Sequence, residues 1–303
     1  MLDVLIMNEF YYIYILECAD HTFYTGYTND IYKRLKTHNE GRGAKYTRSR
    51  RPCVLVYYEK FDNKITAQKR EYYIKSRLNH KDKETLVKFG RPITYLSIDA
   101  NQNLREYLQI IGREVIQFRT EGITDSRISN HPDIFMCKMA PDHGDIIFAG
   151  DDLPGEKHPD DIKFNAACTG KYFIHNLKFT SKKLLKYAIE NDLILVNVKQ
   201  GYAKCSTVVI DEESIITYDK GIYDSATKHG INALLISDGG VELPGYNKGF
   251  IGGASGRVGD EIIFNGDISK HPDYMRIEKF IKSRNLKCKF FSGYNLCDIG
   301  SII

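Results

Sequence analysis

Tryptophan is absent from these 303 residues. No apolar run approaches the roughly 20 residues that a membrane-spanning helix requires, which argues against a membrane span. Met1 to Glu9 has neither a basic start nor a small-residue cleavage site, so no secretory leader is read there. The seven cysteines contain no Cys-x-x-Cys pair, which leaves no zinc or disulfide framework in view. They are expected to be reduced thiols in packed interiors. These absences point to a cytoplasmic chain with no membrane partner.

Other features are plentiful. Tyrosine occurs 21 times, and 42% of the residues are hydrophobic, enough for ordinary cores. The length suggests two domains. The net charge of +4 is unevenly spread: Phe10 to Gly90 holds 17 Lys plus Arg against 9 Asp plus Glu, whereas Arg91 to Ile303 is slightly acidic. Arg42, Lys45, Arg48, Arg50 and Arg51 crowd one loop around Tyr46. That composition suits phosphate contacts and base stacking, although a basic cluster can equally be a solvated loop.

Tyr11 to Leu16 alternates β-branched and aromatic residues as a strand does, placing Tyr12 and Tyr14 on one face. Asp20-His21-Thr22 turns the chain, and Phe23 to Tyr27 returns as a partner strand in which Gly26 permits a close approach. Thr28, Asn29 and Asp30 are all good caps for a helix over Ile31 to Asn39. Arg34 and His38, four residues apart, share a face of it. Val54 to Lys60 reads as a third strand, Thr66 to Arg77 as a helix carrying Glu71, and Asn79 to Phe89 as another. The first domain is then a small α/β layer fold on a short mixed sheet.

Phosphodiester hydrolysis needs a deprotonated water, a cation on the non-bridging oxygens and stabilisation of the leaving oxygen. Arg34 suits the cation role because its planar fork can grip a phosphate at two points. Glu71 suits a metal, since one carboxylate completed by waters and a phosphate is how Mg²⁺ commonly binds. A tyrosine or His38 could take the proton from water. Taken singly, each has a plainer reading: core tyrosines, a solvated arginine, a surface histidine, and a Glu71 paired with Lys75 at i,i+4.

Together, Tyr12-Ile13-Tyr14, Tyr24-Thr25-Gly26, Arg34, His38 and Glu71 resemble the GIY-YIG nuclease superfamily, especially its small single-domain bacterial members. The segments His38 to Arg48 and Lys69 to Lys75 share the likeness, which covers roughly residues 10 to 90. The resemblance implies that Tyr14 and Tyr24 flank the attacking water, with Tyr14 ahead of Tyr24 as base. It also implies that Arg34 steadies the scissile phosphate and that Glu71 is the single protein ligand to one Mg²⁺ or Mn²⁺ ion. His38 falls where relatives carry tyrosine or histidine. Arg42, Lys45, Tyr46, Arg48, Arg50, Arg51 and Lys75 would meet nucleic acid, DNA or else RNA. The chain departs from the family pattern at Tyr27, where a lysine is common, and at Lys83, where an asparagine is common.

After a nine-residue extension (1–9) and the nuclease-like domain (10–90), a second domain spans 91–303. Strand-like and helix-like stretches alternate through it, and one segment echoes another. Asp145 to Asp151 followed by Lys157-His158-Pro159-Asp160 matches Glu261 to Asp267 followed by Lys270-His271-Pro272-Asp273. A further His-Pro-Asp stands at 131–133. Such repeats point to one supersecondary unit used several times, and each His-Pro-Asp reads as a turn whose aspartate caps the next helix.

This repetition, with Leu243 to Tyr246, Gly249 to Gly256 and Asp298-Ile299-Gly300-Ser301, resembles the pentein fold, in which ββαβ units circle an axis. That resemblance implies a cysteine, a histidine and acidic residues acting on guanidino groups. Cys297, His131, Asp133, Asp211, Asp219 and His271 are the candidates. The reading taken is a metal-dependent endonuclease acting on DNA with a recognition or regulatory second domain; the alternatives are a nucleic-acid-binding protein with a vestigial site and a guanidino or amidino metabolite enzyme acting through the second domain.

Overall fold

The computed structural model describes residues 10–120 and 122–303; the expected extension at 1–9 lies outside them. The chain forms two compact units. One runs through Ile93 and takes back Arg105–Val115, and the other comprises Thr94–Leu104 and Ile116–Ile303.

The first unit contains β1 (Tyr11–Glu17), β2 (Phe23–Thr28), α1 (Ile31–Asn39), α2 (Lys45–Arg48), β3 (Val54–Phe61), α3 (Lys64–Arg77) and α4 (His80–Phe89). Its sheet has the order β2-β1-β3 and is antiparallel at both pairings, not mixed as the sequence suggests. A tight turn forces β2 to run against β1. The passage through α1 and α2 then skips β1, so β3 follows β2's direction and also opposes β1. As the middle strand, β1 is covered on both faces. Ile13 and Ile15 join Phe61, Ala67, Ile74 and Leu86, while Tyr14 and Leu16 join Cys18 and Cys53 with Tyr24, Leu35 and Leu55 alongside.

Local chemistry sets the helix starts. Asp30 caps α1 by accepting from the Lys33 amide at 2.9 Å, and Asn63 caps α3 through the Ile65 and Thr66 amides. Asn79 and Asp82 form a reciprocal capping box on α4. Arg70 of α3 is fully buried and pairs with buried Glu59 at 2.9 Å, which Arg91 also approaches at 3.5 Å.

The chain continues as β4 (Ile93–Ser97), α5 (Gln102–Ile110) and β5 (Glu114–Phe118), with β4 and β5 paired. The end of α5 is bound to α3: Arg70 Nη1 donates to the Ile110 carbonyl at 3.4 Å. Gly112, at φ +97°, leaves room where a Cβ would come within 2.5 Å of that guanidinium.

In the second unit, α6 (Pro132–Phe135) leads into the hairpin β6 (Met136–Lys138) and β7 (Ile146–Phe148). Three complete ββαβ copies follow: β8 (Ala167–Cys168), β9 (Tyr172–His175), α7 (Lys182–Glu190) and β10 (Ile194–Asn197); β11 (Thr207–Asp211), β12 (Ser214–Thr217), α8 (Lys220–Lys228) and β13 (Asn232–Leu235); β14 (Ser255–Val258), β15 (Glu261–Phe264), α9 (Tyr274–Ser283) and β16 (Lys287–Lys289). In each copy the first two strands are antiparallel and the post-helix strand is parallel to the second. Each helix buries one i,i+4 pair, Leu184/Ala188, Ile222/Ala226 or Ile277/Ile281, as a one-faced helix on a sheet must.

The echoed segments occupy β7 and β15, the second strands of their hairpins. Only β15 leads into a helix longer than one turn before the next strand. Of the His-Pro-Asp aspartates, Asp273 alone stands at a helix N-cap, that of α9, and its side chain makes no cap bond there. Asp133 lies inside α6 and is buried, Asp160 opens a 3₁₀ turn, and Asp273 gives its carboxylate to the Ser237 amide at 2.6 Å. The proline fixes where these turns begin, but buried donors claim the Asp133 carboxylate and a backbone amide claims that of Asp273.

Candidate active site

Strand pairing sets Tyr14 opposite Gly26, and the tyrosine ring folds across that glycine. A Cβ there would lie 2.3 Å from the Tyr14 hydroxyl. The close approach offered by Gly26 is therefore taken by the protein's own phenol. The single turn separating Arg34 and His38 on α1 brings both to that hydroxyl: Arg34 Nε donates to it at 3.0 Å, and His38 Nε2 lies 2.9 Å from it. His38 is fully buried. Its Nδ1 meets Thr47 Oγ1 at 2.7 Å, and the Thr47 hydroxyl donates to the Ala44 carbonyl at 3.0 Å.

Tyr24 flanks this centre, its ring 6.3 Å from Tyr14's and 5.0 Å from His38's. Tyr46 stacks on it at 6.1 Å, and the Lys75 ammonium stands 5.9 Å from its centroid. Glu71 is half-buried and ion-paired with Lys75 at 2.5 Å, so the plain i,i+4 pairing is present. Burial pushes the Tyr14 hydroxyl up to about 12; Arg34 pulls the other way, while Tyr24 and Glu71 add to the rise. Burial, then Arg34's charge, takes His38 down to about 4. Arg34 is raised, first by its bond to Tyr14.

Glu71's donor chemistry fits a hard cation such as Mg²⁺, which commonly takes one protein carboxylate and completes its shell with water and phosphate oxygens. Such an ion would compete with Lys75 for the carboxylate. Among the described residues no cluster of three or more His, Cys, Asp or Glu is arranged to hold a metal.

The basic loop divides. Arg42 pairs with Glu40. Arg50 bonds Asp20 at 2.8 Å and lies 4.2 Å over the Tyr46 ring, and Arg51 Nε donates to the Arg48 carbonyl at 2.8 Å. Lys45 and Arg48 are exposed. Of the departures from the family pattern, Tyr27 stacks on Tyr11 at 6.1 Å, and Lys83 is half-buried, its pKa lowered by burial and by Lys75.

In the second unit, Asp211 pairs with Arg284 at 2.6 Å. Asp219 caps α8 and accepts from Gln200 at 3.0 Å, while His271 accepts from the Asp273 amide at 3.0 Å. Cys297 is half-buried, with burial raising its thiol to about 11. His131 and Asp133 belong to a buried polar cluster. His131 Nδ1 is 3.8 Å from Asp298, and Asp133 Oδ2 accepts from Ser301 Oγ at 2.6 Å and from Cys205 Sγ at 3.1 Å. Lys204 Nζ donates to Ser301 Oγ at 2.9 Å. Asp298, raised by burial to about 6, fits only because Gly253 has no Cβ. Sequence reasoning missed Thr47, Lys204, Cys205 and Asp298 as members of these clusters. Thr47 stood within the segment His38 to Arg48 and Asp298 within Asp298-Ile299-Gly300-Ser301, but neither was read as a site residue; the glycines through 249–256 were the signal for the close packing around Asp298.

One tyrosine hydroxyl held by an arginine and a histidine on an antiparallel sheet, with a carboxylate on the following long helix, defines a GIY-YIG nuclease-family domain. Residues 10–84 match the GIY-YIG catalytic domain. Residues 140–303 match a family of unknown function (DUF6873), and the chain belongs to that family. A UPF0213 protein of Haloquadratum walsbyi is 48% identical over 87 residues, covering 29% of this chain and 97% of the relative. One from Clostridium perfringens is 57% identical over 76 residues, 25% of this chain and 81% of the relative. Among solved structures, a C. jejuni agmatine deiminase with substrate bound is similar over 67% of this chain and 88% of that one, at 12% identity and a TM-score of 0.36. That likeness gives this chain neither a substrate nor a reaction.

Proposed function

We propose that the chain is a divalent-metal-dependent endonuclease that hydrolyses phosphodiester bonds in DNA through its first unit, with the second unit recognising a target or regulating cleavage. The observation that carries this reading is the Tyr14 hydroxyl held at once by Arg34 and His38. A phenol near 12 gives up no proton unaided at neutral pH, but one bonded to a neutral imidazole can pass its proton on as it accepts another.

In the reaction, a water proton moves to the Tyr14 oxygen while Tyr14's own proton moves to His38 Nε2. The water oxygen bonds to phosphorus, the P–O ester bond breaks, the departing oxygen takes a proton from solvent, and His38 then returns its proton to solvent by way of the Tyr14 oxygen. Arg34 keeps N–H groups for the phosphate beyond the one given to Tyr14. An engaged phosphate also offsets the arginine charge that depresses His38, so substrate itself makes the histidine a better acceptor. Glu71 would hold one Mg²⁺ or Mn²⁺ ion, which when bound supplies positive charge for the phosphate and the departing oxygen. The bound nucleic acid would run past Lys45, Arg48 and the Tyr46 ring.

Nicking of supercoiled plasmid tests this. Cleavage that requires Mg²⁺ or Mn²⁺, is lost in Glu71→Ala and Arg34→Ala, and persists in Cys297→Ala supports it. Equal cleavage by wild type and Glu71→Ala rejects the metal role, and loss in Cys297→Ala shifts the chemistry to the second unit.

A further inference from the structure

The bond from the Thr47 hydroxyl to the Ala44 carbonyl is the starting point for assigning protons along the hydrogen bonds that link Ala44, Thr47, His38 and Tyr14. A carbonyl only accepts, so the single Thr47 hydroxyl proton is spent on Ala44 at 3.0 Å. Thr47 Oγ1 can then meet His38 Nδ1, 2.7 Å away, only by accepting, which places the imidazole proton on Nδ1. A neutral imidazole protonated at Nδ1 is bare at Nε2, and Nε2 must accept the Tyr14 O–H at 2.9 Å. The Tyr14 oxygen is left with lone pairs for Arg34 Nε and for a water proton. With the opposite tautomer, Nε2–H would donate into the same oxygen as Arg34, and Tyr14's own proton would point at the water instead of at the imidazole, so the phenol could not hand it on to His38.

We propose that Thr47 is a positioning residue: its hydroxyl locks His38 in the Nδ1–H tautomer, and that lock makes the Tyr14–His38 pair able to draw a proton from water. Thr47 is fully buried on α2, the short helix whose other residues, Lys45, Tyr46 and Arg48, are exposed. The connecting loop is seated against the same imidazole. At Gly43 a Cβ would come within 2.5 Å of His38 Nδ1 and 2.8 Å of its Cα. The segment offered to nucleic acid is thus also the one that sets the histidine's proton. The catalytic half of the proposal rests on the nuclease reading; the tautomer half does not.

The test uses the full chain with ¹⁵N-labelled histidine, in wild type, Thr47→Val and Thr47→Ser, without metal or DNA. Long-range ¹H–¹⁵N spectra are expected to place the His38 proton on Nδ1 in wild type and Thr47→Ser. In Thr47→Val it should move to Nε2 or exchange between the two. Plasmid cleavage by the same proteins should show kcat lower by on the order of 10²-fold in Thr47→Val, KM within about twofold, and Thr47→Ser close to wild type. An Nε2–H tautomer in wild type overturns the proposal. So does a Thr47→Val protein with the wild-type tautomer, or one that keeps kcat while its tautomer moves; all three outcomes leave the nuclease reading standing. A wild-type chain that cuts no phosphodiester removes that reading, and with it Thr47's catalytic role.

Discussion

At the scale of single residues, the fold keeps an imidazole neutral and uncovered at one nitrogen. His38 is depressed from about 6.5 to about 4 by burial and by Arg34. Between those pH values the unfolded chain binds a proton there that the folded chain refuses. The contribution to stability is therefore complete above about pH 6.5 and is lost as pH falls toward 4. Urea denaturation at pH 7 and pH 4.5 should show wild type losing more stability on acidification than His38→Gln, and equal losses would contradict the assignment. Much of this centre was legible beforehand, because strand alternation and a four-residue spacing are strictly geometric. Thr47 was not legible, since its part depends on a loop folding back over the helix that precedes it. Glu71 was legible as a position, but the Lys75 ammonium resting on it was legible only as the plainer alternative.

Among the elements, α3 does two jobs. Its Glu71 and Lys75 reach the tyrosine centre, while Arg70, one residue away from Glu71, is sealed against Glu59 and the end of α5. Arg70→Ala strips a buried carboxylate of its principal partner, a loss of about 3–5 kcal/mol in chemical denaturation. A change below about 1 kcal/mol would mean that Arg91 compensates fully. Nothing in the sequence marked this pair, because a Lys-Arg-Glu run reads equally well as a solvated face, and the return of Arg105–Val115 to the first unit carried no signal either. The basic loop was legible only as a composition. Folding ties Arg42 and Arg50 to Glu40 and Asp20 and Arg51 to the Arg48 carbonyl, while Lys45 and Arg48 stand exposed on α2. DNA affinity should fall as salt rises, and Lys45→Ala or Arg48→Ala should each lower the log–log slope by about 1. Slopes unchanged in both would remove α2 from the interface.

On the scale of the whole molecule, the repeat was legible as an echo of sequence but not in its extent. Two segments matched, yet three ββαβ copies formed, because a copy is specified by one buried i,i+4 helix pair and alternating strands, which many sequences satisfy without resembling each other. The chain's last residue pairs with β4, Tyr95 and Ile303 exchanging backbone hydrogen bonds at 2.8 and 3.2 Å, so the second unit is tied at both ends. Among the described residues no helix is long and apolar enough to cross a membrane. The most direct measurement is single-turnover DNA cleavage by the full chain with Tyr14→Phe, alongside DNA affinity. The phenol's oxygen is where Arg34 and His38 meet and, in the proposed reaction, where the attacking water gives up its proton, so the rate should fall by about 10²–10⁴-fold while affinity stays within a few-fold. A Tyr14→Phe protein that binds and cuts DNA as wild type does would contradict the account at its centre.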